Sequence, residues 1–235
     1  MKVDIITLHA ALNYGAILQA FATQEFFRQN GCEARIINAV FPHHKFLRHV
    51  LSICSKGSKF MIPFKFLPAL LLSLKSCVSL GGFRKKYLIM SDDKQYTNPE
   101  DFANYESDAD AFCTGSDQTW TPNYGEKFKP LLHLSFPPKG SYKFAFSASF
   151  GVSELSPEEV SKVQEYISDY KYISVRENSG LRILSEQFHY DNAVCTLDPT
   201  LCLDGDTWRK YAKHTTGGGV EILIYSFIAL LMTRN

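Results

Sequence analysis

Three short polar stretches of this 235-residue chain hold the residue types from which an active site can be built. Asn13-Tyr14-Gly15 offers an amide, a phenol and a flexible backbone. Gly115-Ser116-Asp117-Gln118-Thr119-Trp120 offers more. Gly115 lets backbone come close to a ligand, Ser116 and Gln118 can hydrogen-bond to hydroxyls, Asp117 can accept a proton, and Trp120 has an apolar face. The same residues also suit an Asx-turn leading to a core tryptophan, and core packing is the favoured reading of Trp120. Arg176 opens a third stretch, Arg176-Glu177-Asn178-Ser179. Its guanidinium can grip a carboxylate or phosphate through two hydrogen bonds, or pair with Glu177 at the surface. Ser147, Ser149 and Gly151 add small polar residues at a fourth position.

Each stretch follows an apolar run of strand length. The residues from Ile5 to Leu8 give way to Ile17, Leu18, Phe21, Ala22 and Phe26, spaced as one face of a helix that Asn30-Gly31 can end. Further strands are expected over Glu33 to Asn38, Ala109 to Thr114, Tyr142 to Ala148, Tyr172 to Val175 and Ala193 to Leu197. Helix starts are expected at Asn98-Pro99-Glu100-Asp101 and at the capping box Ser156-Pro157-Glu158-Glu159, followed by the stripe Val160, Val163, Ile167 and Tyr170. Asp206 is expected to cap a helix with Trp208 and Tyr211. Strand, helix, strand predicts right-handed parallel units and an α/β fold, a Rossmann-like parallel sheet flanked by helices. The strand-end loops then gather at one edge, where ligands bind and free N–H groups at a helix start can hold an anion. The opening loop carries neither G-x-G-x-x-G nor G-x-x-x-x-G-K-[ST], which argues against a dinucleotide fingerprint or a P-loop there.

Composition narrows the function further. Hydrophobic residues make up 45% and aromatics 14%, enough for a sizeable core. A net charge of +1 argues against a general nucleic-acid binder. Cys32, Cys54, Cys77, Cys113, Cys195 and Cys202 form no C-x-x-C pair, so neither a zinc site nor a disulfide scaffold is suggested, and a reducing cytoplasm fits. Asp4 interrupts the first apolar run, unlike a secretory signal.

Charge is uneven along the chain. From Ala34 to Ser91 there is no Asp or Glu, while Arg35, Lys45, Arg48, Lys56, Lys59, Lys65, Lys75, Arg84, Lys85 and Lys86 accumulate. Within this block Phe60 to Leu80 is apolar but broken by Pro63, Lys65, Pro68 and Lys75, a poor spanning helix. The block at about 42–90 reads as a basic, apolar helical insertion. It is either a solvated basic face over core contacts or a peripheral contact with an anionic membrane at its inner face.

Taken together, Asn13-Tyr14-Gly15-Ala16-Ile17-Leu18-Gln19, the Gly115 to Trp120 loop, Ser147-Ala148-Ser149-Phe150-Gly151, Ile173-Ser174-Val175-Arg176-Glu177 and Leu197-Asp198-Pro199-Thr200 resemble the polysaccharide pyruvyl transferase family. The resemblance implies two Rossmann-like domains facing a cleft, as in GT-B glycosyltransferases. Residues 1–214 would be the N-terminal domain, and 215–235 a linker and the truncated start of a second. It also implies transfer of a pyruvyl group from phosphoenolpyruvate to two hydroxyls of a saccharide or lipid-linked saccharide, with no metal and no redox cofactor. Such chemistry needs cations for the donor's anionic groups, an acid for its methylene carbon and a base for the attacking hydroxyl. Arg176 is the candidate for donor binding and Asp117 for the base. Asn13, Tyr14 and Gly15 would form the cleft wall, with Gly115, Ser116, Gln118 and Ser149 as substrate contacts. The expected truncation implies little activity for the chain alone. Two other readings are a GT-B-like glycosyltransferase using a nucleotide sugar and a non-catalytic domain attached to a membrane-bound complex. An NAD-dependent enzyme ranks last, because its glycine fingerprint is missing.

Overall fold

The computed structural model of the chain describes residues 1–41, 46–55, 62–122 and 125–212. It divides into a unit Met1–Leu203 and a second unit from Asp204 onward. In chain order the first unit runs β1 (Lys2–Ile6), α1 (Tyr14–Gln29), β2 (Glu33–Ile36), α2 (Phe46–Ser55), α3 (Ile62–Tyr87) and β3 (Ala111–Thr114). It continues with α4 (Lys129–Leu132), β4 (Tyr142–Ala148), α5 (Pro157–Ser168), β5 (Tyr172–Val175), α6 (Asn178–Arg182), β6 (Val194–Cys195) and α7 (Pro199–Cys202). The six strands form one parallel sheet in the order β2-β1-β3-β4-β5-β6. This is the expected Rossmann-like α/β arrangement. The chain steps from β1 to β2 on one side and then crosses to β3 on the other, so the order reverses between β1 and β3. Ligand crevices of such sheets open at that reversal, at the carboxyl ends of the strands.

Helices cover both faces of the sheet, and the central strand β3 is accordingly buried along its whole length. Val3 and Ile5 of β1 pack with Ala34, Ile36 and Cys113, against Phe27, Phe144 and Phe146. Ile6 belongs to a second cluster with Phe112, Ala145, Ile173 and the α5 residues Val163 and Ile167. Helix α1 is buried more widely than a single stripe would make it. Phe26 stacks on Phe146 of the sheet at 5.1 Å, while Phe21 meets Phe83 of α3 at 5.6 Å. Asp4, the charge inside the first strand, is fully buried and fully satisfied: it accepts from Arg35 Nε at 2.8 Å, from the Tyr105 hydroxyl at 2.6 Å and from Ser107.

Several local expectations shift. The helix start expected at Asn98-Pro99-Glu100-Asp101 is present as a 3₁₀ helix, Pro99–Asn104, with the Asp101 carboxylate accepting from Asn98 N at 2.9 Å. Ser156 caps α5 by accepting from Glu159 N at 3.2 Å, but the Glu159 carboxylate turns away to Lys129 Nζ at 2.5 Å, leaving half a capping box. A buried ammonium is a stronger partner than a backbone N–H. Helix α3 runs through Pro68, and its Phe64–Tyr87 stretch is long and apolar enough to cross a membrane, so the proline does not break it as expected. In the second unit α8 (Gly205–Tyr211) is capped by Asp204, which accepts from Thr207 N at 2.7 Å. Asp206, the expected cap, pairs with Arg209 instead. The linker and second-domain start expected at 215–235 lie outside the described residues.

Candidate active site at the carboxyl edge of the sheet

Leaving β1, the chain buries Thr7, Leu8, His9 and Ala10 before Asn13 opens α1. Asn13 is extended (φ −139°, ψ 127°), and its side-chain oxygen accepts from Gly15 N at 2.7 Å and Ala16 N at 3.3 Å. The cap therefore takes two of the N–H groups that were expected to be free for an anion. One turn on, Gln19 Nε2 donates to Thr7 Oγ1 at 2.8 Å, and Thr7 Oγ1 donates to the Ser116 carbonyl at 2.9 Å. This buried relay ties α1 to the loop after β3 across the sheet's reversal point.

That second loop stays close to the sheet. Gly115 N donates to Ile6 O at 2.9 Å, and a Cβ on Gly115 would stand 3.0 Å from Thr7 Cβ and 3.2 Å from Ile5 Cγ2. Asp117 then adopts φ 79°, a left-handed conformation uncommon for a residue with a Cβ, while bridging Ala148 at the end of β4. Its carboxylate accepts from Gln118 N at 2.8 Å. Trp120 turns inward, as expected: its Nε1 donates to Leu132 O at 3.3 Å and its ring stacks on His133 at 5.4 Å.

Two further strand ends complete the edge. Ser147 also has a left-handed backbone (φ 52°), and its hydroxyl lies 2.7 Å from Leu197 O, joining β4 to the segment after β6. At the end of β5, Arg176 N donates to Ala148 O at 2.9 Å, and its Nη1 donates to Asp198 Oδ2 at 2.9 Å. Glu177, the surface partner expected for Arg176, stands farther off at 3.9 Å. The other Asp198 oxygen accepts from Thr200 N at 2.9 Å and Thr200 Oγ1 at 2.6 Å, capping α7. Burial alone would raise the Asp198 pKa. The Thr200 hydrogen bonds and the Arg176 guanidinium outweigh it and hold the carboxyl below its ordinary value, so it is ionised at neutral pH.

These elements enclose a cavity of about 250 Å³ lined by Asn13, Gly15, Ala16, Gln19, Asp117, Arg176, Asp198 and Thr200. It is slightly smaller than the ligand-pocket range of about 300–1,000 Å³. Of the residues singled out in the sequence, Asn13, Gly15, Asp117 and Arg176 meet there. Tyr14 is 59% exposed and lies outside the lining. Gly115, Ser116 and Ser149 are buried off the lining, Ser149 giving its carbonyl to Trp120 N at 3.1 Å. Gln118 is exposed and lies over Gly151, where a Cβ would come within 2.9 Å of it. The sequence reading missed Gln19, Asp198 and Thr200 as lining residues. Gln19 was visible as a polar residue inside a helix rich in apolar ones, and Asp198 as an acid one residue beyond an expected strand. Among the described residues no group of three His, Cys, Asp or Glu is placed to hold a metal ion. The cavity thus offers one guanidinium for an anion, two carboxylates, and amide and hydroxyl groups for hydrogen bonding.

The family model described as polysaccharide pyruvyl transferase matches residues 13–229. No curated protein and no solved structure matches the chain.

Proposed function

Because the chain belongs to the polysaccharide pyruvyl transferase family, we propose that it moves a pyruvyl group from phosphoenolpyruvate onto two hydroxyls of one sugar of a surface polysaccharide. Two C–O bonds form at the enol carbon, the methylene carbon gains a proton, and the bond to phosphate breaks. Of the two hydroxyl protons released, one balances the new C–H bond and the other leaves with inorganic phosphate.

The observation that carries this reading is the meeting of Asn13, Asp117 and Arg176, from three distant stretches, at one small cavity. A three-carbon phosphoester suits its size. Arg176 would take the donor's carboxylate or phosphate, sharing its guanidinium with Asp198. Asp117, half-buried on the rim, would accept a proton from the attacking hydroxyl. Asn13, Gln19 and Thr200 would orient donor and sugar through hydrogen bonds. The phosphoenolpyruvate donor needs no metal or redox cofactor in this scheme.

Titration calorimetry of the purified chain with phosphoenolpyruvate tests the donor site. Arg176→Ala should weaken binding about ten- to a hundredfold, the share of a charge-assisted hydrogen bond. Asp117→Asn should leave donor affinity near the parent's and lower the ketal formation and phosphate release that the parent chain shows, however small, by about 10²-fold or more. Binding of a nucleotide sugar in place of phosphoenolpyruvate would overturn the reading and favour a glycosyltransferase.

A further inference from the structure

Helix α3 has two apolar faces, and among the described residues only one of them is covered. Ala69 is buried with Val50 and Cys54 of α2, Leu80 is buried, and Phe83 and Tyr87 pack on Phe21 of α1. On the opposite face Phe64, Leu67, Leu71, Leu74 and Val78 recur at alternating steps of three and four. Phe64 is 69% exposed, Leu67 62%, Leu71 59% and Val78 76%. The charges nearby are all of one sign: Lys75, Lys85 and Lys86 are exposed, and no Asp or Glu occurs from Ala34 to Ser91.

We propose that this outer face of α3 lies on the surface of an anionic phospholipid bilayer, with its apolar ridge in the headgroup–acyl boundary and its lysines on the lipid phosphates. A second copy of the chain is a poorer occupant. Two such helices laid together would confront lysine with lysine, with no acidic partner on either side. A bilayer interface accepts a convex apolar ridge flanked by cations and supplies the missing negative charge. The ridge from Phe64 to Val78 is about 21 Å long at the helical rise. That is short of a hydrocarbon core of about 30 Å, and the helix beyond it packs on α1, so it lies in the interface and does not span. The inference rests on α3 alone and is independent of the cavity.

Co-sedimentation of the full chain with vesicles tests it. The chain should bind vesicles of phosphatidylcholine mixed with phosphatidylglycerol at low salt, less as salt rises, and little with phosphatidylcholine alone. Leu71→Glu and Val78→Glu, both at exposed positions, should each lower binding about tenfold, as expected for losing one buried apolar side chain. The pair Lys75→Glu and Lys85→Glu should lower it without changing thermal stability. Absence of binding to the anionic vesicles at low salt would overturn the proposal, as would binding that these variants leave unchanged. So would self-association in the ultracentrifuge that Leu71→Glu abolishes without lipid adsorption, which assigns the face to a second copy.

Discussion

Gly115 shows how a residue chosen for one reason can matter for another. It was singled out because a glycine lets a ligand approach backbone, yet its bare Cα faces Thr7 and Ile5, where a Cβ would stand 3.0 Å and 3.2 Å from side-chain carbons. Gly115→Ala should therefore cost about 1–3 kcal/mol of stability by overpacking, measured by urea denaturation. The added methyl meets β1 and not the ligand, so any effect on donor binding should be smaller. The residue types at the site were legible where chemistry and position coincide, as at Asp117 and Arg176. They were not legible where a side chain reaches the cavity from a helix interior, as Gln19 does, or from a turn that also reads as a cap, as Asp198 does. Nor does the sequence say that Asp117 carries a left-handed backbone, because that follows from its bridge to Ala148 on another strand.

Among the elements, α1 and α5 were legible from their periodicity and β4 from its alternation of aromatic residues. Their ends were less so. Whether Glu159 bonds the start of its own helix depends on Lys129, which lies 30 residues away and out of reach of local pattern. At the start of α1, where free N–H groups were expected, Asn13 instead accepts from Gly15 N and Ala16 N as an N-cap. Asn13→Ala should cost about 1 kcal/mol in a denaturant titration, and Asn13→Ser should recover most of it. Because the cap also lines the cavity, the alanine variant should lose donor affinity as well. A serine that restores stability without restoring affinity would separate capping from ligand contact.

At the scale of the whole molecule, the all-parallel sheet was legible because strands and helices alternate, and the reversal between β1 and β3 places the cavity. What no pattern shows is the protonation cost of so dense a core. His9 and His133 are both buried, and desolvation pushes each from an ordinary 6.5 down to about 4, with the nearby Arg84 adding to the effect on His9. Each stays neutral when folded, while the unfolded chain takes up a proton below about 6.5. This contribution to stability is thus complete above that pH and is lost as pH falls toward 4, by on the order of 1 kcal/mol per pH unit for each histidine. Urea midpoints at pH 7 and pH 5 should show the decline. His133→Phe, which keeps a ring against Trp120, should make it shallower.

The two oxygens of Asp198 are committed to different tasks, one to the start of α7 and the other to Arg176. A descendant sequence adapting to a ligand of another charge could not alter that residue alone, since the turn would come loose along with the cation. Change at this corner should come in paired steps, with a new cap arriving alongside any new partner for the guanidinium.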